Sequence, residues 1–523
     1  MRSLVQTSLL LSVVYLAAAP AVQTQQPTPT AVPEEEPFVE PVELHHAPAG
    51  EAPFAAPVNA ATGQWVTLTT VMPINPVHVA QMYDGKVLVI TGSGNDPGER
   101  MLMAGVWDPV TRTIATFRLN WDMFCNGMVI LPDGRPFVLG GTLAYDPFKG
   151  EPRTAAYQPL GGGFADLPRM LGGRWYPTGT VLGDGSVMVI SGLNDTDGRV
   201  NRSVQTYKPA TNTWRNAGTV FSGVPLFPRQ HLLPTGRVFV SGANADTKLW
   251  NPATFAWTNG PRTIFGQARD YGTSVLLPLL PANNFRPKVF IAGGGPRGAN
   301  VTSTTEVIDL SAGTLRWQAG PNMQAPRIQL NATILPNGKV LVSGGSKTDE
   351  SVANAVLPAE LYDPATNTFA SAGAMAFPRL YHSNTLLLPD ATVLAVGSNP
   401  KRRDYEHRIE IYSPPYLFNA GGGAATRPEI TGVSPAAFSY GAKFTVQTPT
   451  AASIRSVVLV RPGAVTHAFD MEQRLVGLNF TTGAGALNVT APADGNLAPP
   501  GYYMLFILNS AGVPSLARFV QLR

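Results

Sequence analysis

The chain has 523 residues, of which 44% are hydrophobic and only 14% charged, with 52 glycines, 48 prolines and a formal net charge of +4. That length exceeds one ordinary core and calls for several domains, or for a repeat array with an appendage. Turn formers in such number, without long helical periodicity, point to an all-β fold. The small net charge, with no basic run interleaved with aromatics, excludes a nucleic-acid-binding protein.

Arg2 is followed by a mostly apolar run from Leu9 to Ala19, with small residues at Ala17, Ala19 and Ala21. This reads as a secretory signal over residues 1–21, so the mature protein is expected outside the cell. About a dozen apolar residues fall short of the roughly 20 that a membrane anchor needs. Residues 22–60, with Glu34, Glu35 and Glu36 in a row, read as a Pro/Glu-rich linker or disordered leader. No later stretch is apolar enough for a membrane span.

From there the chain repeats itself. Asp84-Gly85 opens a β-branched run ending at Gly92, and the pattern returns at Asp133-Gly134, Asp184-Gly185, Thr235-Gly236, Lys288, Asn337-Gly338 and Asp390-Ala391. Seven copies at a spacing of roughly 50 residues match the period of kelch-type propeller blades. The turn pair supplies positive φ for a tight hairpin, and the glycines closing each run let strands crowd near an axis. A second hairpin signal carries an aromatic, as in Tyr207-Lys208-Pro209-Ala210-Thr211-Asn212 and Tyr362-Asp363-Pro364-Ala365-Thr366-Asn367. It predicts outer strands with the aromatic packed between blades. A seven-bladed β-propeller is therefore expected over 61–420. After Gly421-Gly422-Gly423 the rhythm stops, and the short strands of 427–523 predict an immunoglobulin-like β-sandwich.

Cys125 is the only cysteine, and in an exported protein a lone thiol invites a modified role. It lies eight residues before Asp133, as Tyr176 lies before Asp184 and His382 before Asp390, with Tyr381 beside it. One offset in different blades predicts a common depth at the axis. The same offset lands on Phe227, Gln329 and Pro76 elsewhere, so the position is not inherently reactive.

The segments Met123-Phe124-Cys125-Asn126-Gly127, Arg174-Trp175-Tyr176-Pro177-Thr178, Arg379-Leu380-Tyr381-His382-Ser383 and Val465-Thr466-His467-Ala468-Phe469-Asp470 with Gln473-Arg474 resemble the active-site motifs of copper-radical oxidases, the glyoxal oxidase and galactose oxidase family. The resemblance runs from about residue 61 to the C-terminus, with the motifs in the family's order. It implies one copper held by Tyr176, Tyr381, His382 and His467, with Cys125 thioether-bonded to Tyr176 as a tyrosyl radical cofactor. His467 is then expected to enter the propeller channel from the sandwich, making the two domains one rigid unit. The implied reaction oxidises a small aldehyde or primary alcohol with O2 and releases hydrogen peroxide, in a chain expected to be monomeric.

The chain departs from galactose oxidase in two places. No N-terminal carbohydrate-binding domain precedes the propeller, which leans the expectation toward glyoxal oxidase. Leu193-Asn194 stands where galactose oxidase shields its cross-linked tyrosine with a tryptophan. Trp175, Phe124, Phe227, Arg229, Tyr271 and Gln329 are expected around the substrate pocket. Asn-X-Ser/Thr triplets stand at Asn194, Asn201, Asn300, Asn331, Asn479 and Asn488. A non-catalytic kelch propeller serving as a binding module is the competing expectation, and it offers no reason for these motifs to coincide.

Overall fold

The Asp-Gly and Asn-Gly pairs fold as the hairpins their chemistry demands. The Asp184 carboxylate accepts from the Ser186 N–H at 2.9 Å, and Gly185 sits at φ 79°. In the last copy Ala391 takes the same place at φ 67°. The computed structural model describes residues 59–296 and 300–523. The expected signal, and the leader up to residue 58, lie outside the described residues. Among the described residues no helix is long and apolar enough to cross a membrane.

Seven sheets radiate from innermost strands at His78–Gln81, Gly127–Ile130, Trp175–Val181, Arg229–Leu232, Thr273–Leu276, Asn331–Ile334 and Asn384–Leu387, which begin blades 1 to 7. Blades 2 to 7 are four-stranded. The outer strand of blade 7 comes from the start of the propeller: Gln64–Val71 pairs antiparallel with Arg408–Ser413, closing the ring. The expected aromatics pack between blades, Tyr362 on Phe290 with ring centroids 4.3 Å apart and Tyr207 on Phe137 at 4.9 Å. The closing glycines also serve as expected: a Cβ on Gly344 would meet the Arg379 carbonyl of the next blade at 2.7 Å.

A buried ion pair recurs across the ring. Arg269 meets Glu306 at 2.7 Å, Arg327 meets Glu360 at 2.6 Å and Arg379 meets Glu410 at 2.9 Å. Each arginine also donates to the carbonyl of the glycine that directly follows its blade's second strand: Gly293, Gly344 and Gly397. Arg174 repeats the geometry, donating to the Ser191 carbonyl at 2.7 Å, with Gln205 in place of the glutamate. These arginines stand two residues before Tyr176, Tyr271, Gln329 and Tyr381, so each anchors a loop that faces the channel.

The C-terminal segment folds as the expected sandwich. One sheet runs Gly432–Ser434, Lys443–Gln447, Ala486–Thr490, Phe480–Gly483, and the other runs Ala437–Phe438, Arg518–Leu522, Gly501–Asn509, Ile454–Val460, Leu475–Gly477. Its core of Phe444, Val446, Leu459, Leu487, Leu505 and Ile507 is continuous with Phe239, Leu276 and Ile291 of the propeller. Polar ties reinforce the seam. Gln473 Nε2 donates to the Ala332 carbonyl at 3.2 Å, Arg474 donates to the Leu232 carbonyl, and Arg461 donates to the Ile130 carbonyl at 3.1 Å. Propeller and sandwich accordingly lie in one compact unit. Of the glycosylation triplets, Asn331 is only 2% exposed and donates to the Ser383 carbonyl at 3.1 Å, so it is no sugar acceptor.

Removing one partner of a fully buried pair strands the other charge, which costs about 3–5 kcal/mol. Arg327→Met should therefore lower the denaturation midpoint of the metal-free protein by an amount of that order. Arg262→Met, at a pair with both side chains more than half exposed, should shift it by about 1 kcal/mol at most. Equal losses in the two variants would contradict the role given to the buried pairs.

Candidate functional site

The equal offsets of Cys125, Tyr176 and His382 have a backbone cause. At the channel mouth the main chain turns through a left-handed residue at or just before the start of six of the seven inner strands. Cys125 (φ 56°), Tyr176 (66°), Phe227 (42°), Tyr271 (49°), Gln329 (64°) and His382 (60°) all adopt this conformation, and none is a glycine. Such residues cost energy and cluster at functional sites. Backbone hydrogen bonds link several of them around the axis. Tyr176 N–H donates to the Cys125 carbonyl at 2.9 Å, Phe227 N–H to Tyr176 at 3.1 Å, and Gln329 N–H to Tyr271 at 2.9 Å.

Blade 1 has Pro76 at this position, and proline cannot take a positive φ. Here the sandwich fills the gap. A hairpin, Ala464–Thr466 and Phe469–Asp470, adds to the edge of blade 1, with Val465 opposite Val79 and Ala464 opposite Ala80. Its two turn residues are His467 at φ 49° and Ala468 at φ 64°. Positive φ at both central positions is the requirement of a type I′ turn, normally met by Asn-Gly. The hairpin delivers His467 into the channel, as the sequence motif implied.

The two imidazoles meet through their Nε2 atoms, with ring planes 85° apart. His382 Nε2 and His467 Nε2 are 2.9 Å apart, and Cys125 Sγ lies 3.9 Å and 3.7 Å from them. The ring of Tyr381 stacks on His382 at 3.8 Å and stands edge-on to His467 at 5.3 Å, while Tyr176 is edge-on to His467 at 4.5 Å. Cys125 is fully buried, Tyr176 and His467 are buried, and Tyr381 is half-buried.

The hydrogen-bond network fixes both tautomers. Asn399 uses its amide N–H groups on the carbonyls of Lys401 and Asp404, so its Oδ1 faces His382 and accepts from Nδ1–H at 3.0 Å. Thr466 donates its hydroxyl hydrogen to the Val77 carbonyl at 2.9 Å, so its oxygen accepts from His467 Nδ1–H at 2.5 Å. Both Nε2 atoms are left with bare lone pairs. Burial pushes His382 down to about 3, partly opposed by Asn399. Burial, then His382, His78 and Arg229, hold His467 well below the ordinary histidine range. Both rings are therefore neutral at pH 7. Two lone pairs this close repel unless a cation lies between them, and two imidazoles flanked by tyrosines form a donor set that suits copper. The site fits the ion.

Around this centre the expected pocket residues divide. Phe227 packs on Tyr176 and His467, both at 4.4 Å, and Phe124 stands edge-on to His382 at 5.4 Å. Tyr271 stands edge-on to Tyr381 at 5.6 Å. Gln329 is buried and its Nε2 donates to Glu350 at 3.3 Å, leaving Oε1 without a protein partner. The Arg229 guanidinium donates to the carbonyls of Phe227, Gly272 and His467. Trp175 covers Tyr176 at 3.8 Å and is itself stacked on Phe148 at 4.2 Å. An aromatic ring thus lies against Tyr176 from the residue that precedes it.

Sequence reasoning missed Asn399, which follows the glycine closing the inner hairpin of blade 7, and Thr466, which lay unremarked inside a motif. It also missed His78, fully buried with its ring 6.0 Å from His467 and neither nitrogen hydrogen-bonded to protein. Burial, then His382, keeps that imidazole neutral.

Comparison with known proteins agrees with this geometry. The sequence model for the glyoxal oxidase N-terminus matches residues 102–416, and that for the galactose oxidase-like early set domain matches residues 427–522. An aldehyde oxidase GLOX of Vitis pseudoreticulata is 30% identical over 88% of this chain and 97% of its own length. A galactose oxidase of Gibberella zeae is 27% identical over 88% of this chain and 70% of its own. Among solved structures, a fungal alcohol oxidase of the AA5 family in complex with copper superposes with a TM-score of 0.79 at 28% identity, covering 88% of this chain and 99% of that one. With both domains matched in order around a copper-competent centre, the chain belongs to the copper-radical oxidases of the glyoxal oxidase and galactose oxidase family and is a copper-dependent oxidase.

Proposed function

We propose that this protein is exported and oxidises small aldehydes or primary alcohols with O2, releasing hydrogen peroxide, at one copper held by Tyr176, Tyr381, His382 and His467. Cys125 joins Tyr176 in a thioether cross-link. The observation that carries the reading is the pair of bare Nε2 atoms from two domains, 2.9 Å apart beside both tyrosines and the lone cysteine. Both substrate classes are supported by relatives matched over nearly their whole length, one named an aldehyde oxidase and one an alcohol oxidase.

Copper supplies a one-electron couple and a Lewis-acidic position for the substrate oxygen. Taking an alcohol to an aldehyde removes two electrons and two hydrogens, which leave with O2 as hydrogen peroxide. Tyr176 carries the second electron, and an electron-rich sulfur on its ring makes that ring easier to oxidise. Trp175 packs against the ring and is itself backed by Phe148. Tyr381, half-buried at the same centre, accepts the substrate hydroxyl proton at its phenolate oxygen. Tyr176 takes the hydrogen atom from the substrate carbon. An aldehyde enters as its hydrate, so the same two roles serve both substrates.

Copper and oxygen should convert the mature protein to a form lighter by a hydrogen pair, with the Cys125 thiol lost and a Cys125–Tyr176 peptide adduct. Intact mass and peptide mapping check this, and a persistent titratable thiol would refute the cross-link. In a peroxide-release assay over small aldehydes, primary alcohols and galactose, Tyr381→Phe should keep its copper and lose roughly a hundredfold to ten-thousandfold in rate. Tyr176→Phe should abolish turnover, and release at the parent rate from either variant would end the radical reading. Asn399→Leu leaves His382 Nδ1 without its acceptor. Outer partners of this kind are typically worth about 10–100-fold in metal affinity, so calorimetric copper binding should weaken by that factor.

A further inference from the structure

Arg229 opens the innermost strand of blade 4, where the register slips: Arg229 lies opposite Gly242 and Gln230 opposite Val240. A bulge of this kind re-aims the side chain away from simple alternation. Arg229 is 4% exposed, and the hydrogen bonds of its guanidinium go to main-chain carbonyls. Nε and Nη2 donate to Gly272 at 3.2 Å and 3.0 Å, Nη1 donates to Phe227, and Nη2 donates to His467 at 3.2 Å. Its central carbon also lies 5.5 Å from the ring centroid of Phe469, across the hairpin turn from His467. Burial lowers its pKa to about 10, with Asp270 and Tyr271 acting in the opposite direction, so it remains a cation at neutral pH.

The carbonyls it joins come from blade 4, from the residue after Tyr271 in blade 5, and from the tip of the sandwich hairpin. That tip needs an external hold, because His467 and Ala468 both occupy left-handed backbone without being glycine. Thr466 fixes the imidazole's tautomer, yet it belongs to the hairpin itself and its hydroxyl reaches only blade 1. Arg229 reaches the tip from the far side of the channel. A planar fork of donors suits several carbonyls at once, which a single ammonium cannot match.

We infer that Arg229 is a positioning residue for the metal centre: by binding the His467 carbonyl it seats the hairpin tip so that His467 Nε2 faces His382 Nε2. This rests on the reading that His467 holds copper.

The test compares parent, Arg229→Met and Arg229→Lys, with His467→Ala as reference, each loaded with copper(II). Copper affinity is read by calorimetry, imidazole nitrogen couplings by electron spin resonance, and the fold of each metal-free variant by far-ultraviolet dichroism. The parent should show couplings from two imidazoles, one of them lost in His467→Ala. Arg229→Met should bind copper about 10–100-fold more weakly, with couplings shifted toward those of His467→Ala. Arg229→Lys, which keeps the charge but not the fork, should fall between Met and parent. If Arg229→Met does not fold, Arg229→Lys decides. Parent affinity and parent couplings in the folded variants would overturn the inference. So would a raised KM with an unaltered copper centre, which would return Arg229 to the substrate pocket. A parent whose couplings do not depend on His467 would instead refute the copper reading itself, and the inference with it.

Discussion

Two neutral imidazole nitrogens held 2.9 Å apart with their lone pairs facing are the contact on which this molecule depends. In the absence of a cation such a contact is repulsive, so the protein must impose it. The two rings come from positions 85 residues apart in sequence, one at the mouth of blade 7 and one on a hairpin of the sandwich. Bringing them together requires a closed propeller, a docked second domain and a strained turn, each of which has a visible physical cause.

The ring of left-handed residues converts a repeat into a site. Six blades turn into their inner strands through a non-glycine residue at positive φ, so their side chains arrive at one depth around the axis. Which of them does chemistry is a matter of residue type alone: Cys125, Tyr176 and His382 sit in the same backbone geometry as Phe227, Tyr271 and Gln329. Arginines two or three residues upstream anchor four of the channel loops, so the strain is held by buried charge rather than by the channel residues themselves. Blade 1, with Pro76 at the same place, is the one that receives the hairpin carrying His467. The break in the pattern and the arrival of the second imidazole are one event.

The propeller was legible in the sequence because each blade is a local object: turn pair, β-branched run, closing glycines. The offset linking Cys125, Tyr176 and His382 was legible for the same reason, since it counts residues within a single hairpin. Asn399 was not, because its importance comes from an amide whose N–H groups are consumed by Lys401 and Asp404, which fixes its oxygen toward His382. The bonding of Arg229 was not legible either, for a related reason. A cationic side chain near a channel reads as a substrate contact until its hydrogen bonds are followed to main-chain carbonyls. Trp175 lies against Tyr176 and Phe148 backs Trp175, an arrangement that appears only when the blades pack.

The sequence alone determined the all-β class, the seven-fold repeat, the sandwich that follows it and the residue types able to bind copper, because periodicity, turn chemistry and motif order are properties of neighbouring residues. Only the tertiary structure decided which nitrogens face each other, which tautomers they adopt, what covers the buried tyrosine and what holds the hairpin tip. Those depend on hydrogen bonds and ring contacts between segments that fold closure alone brings together.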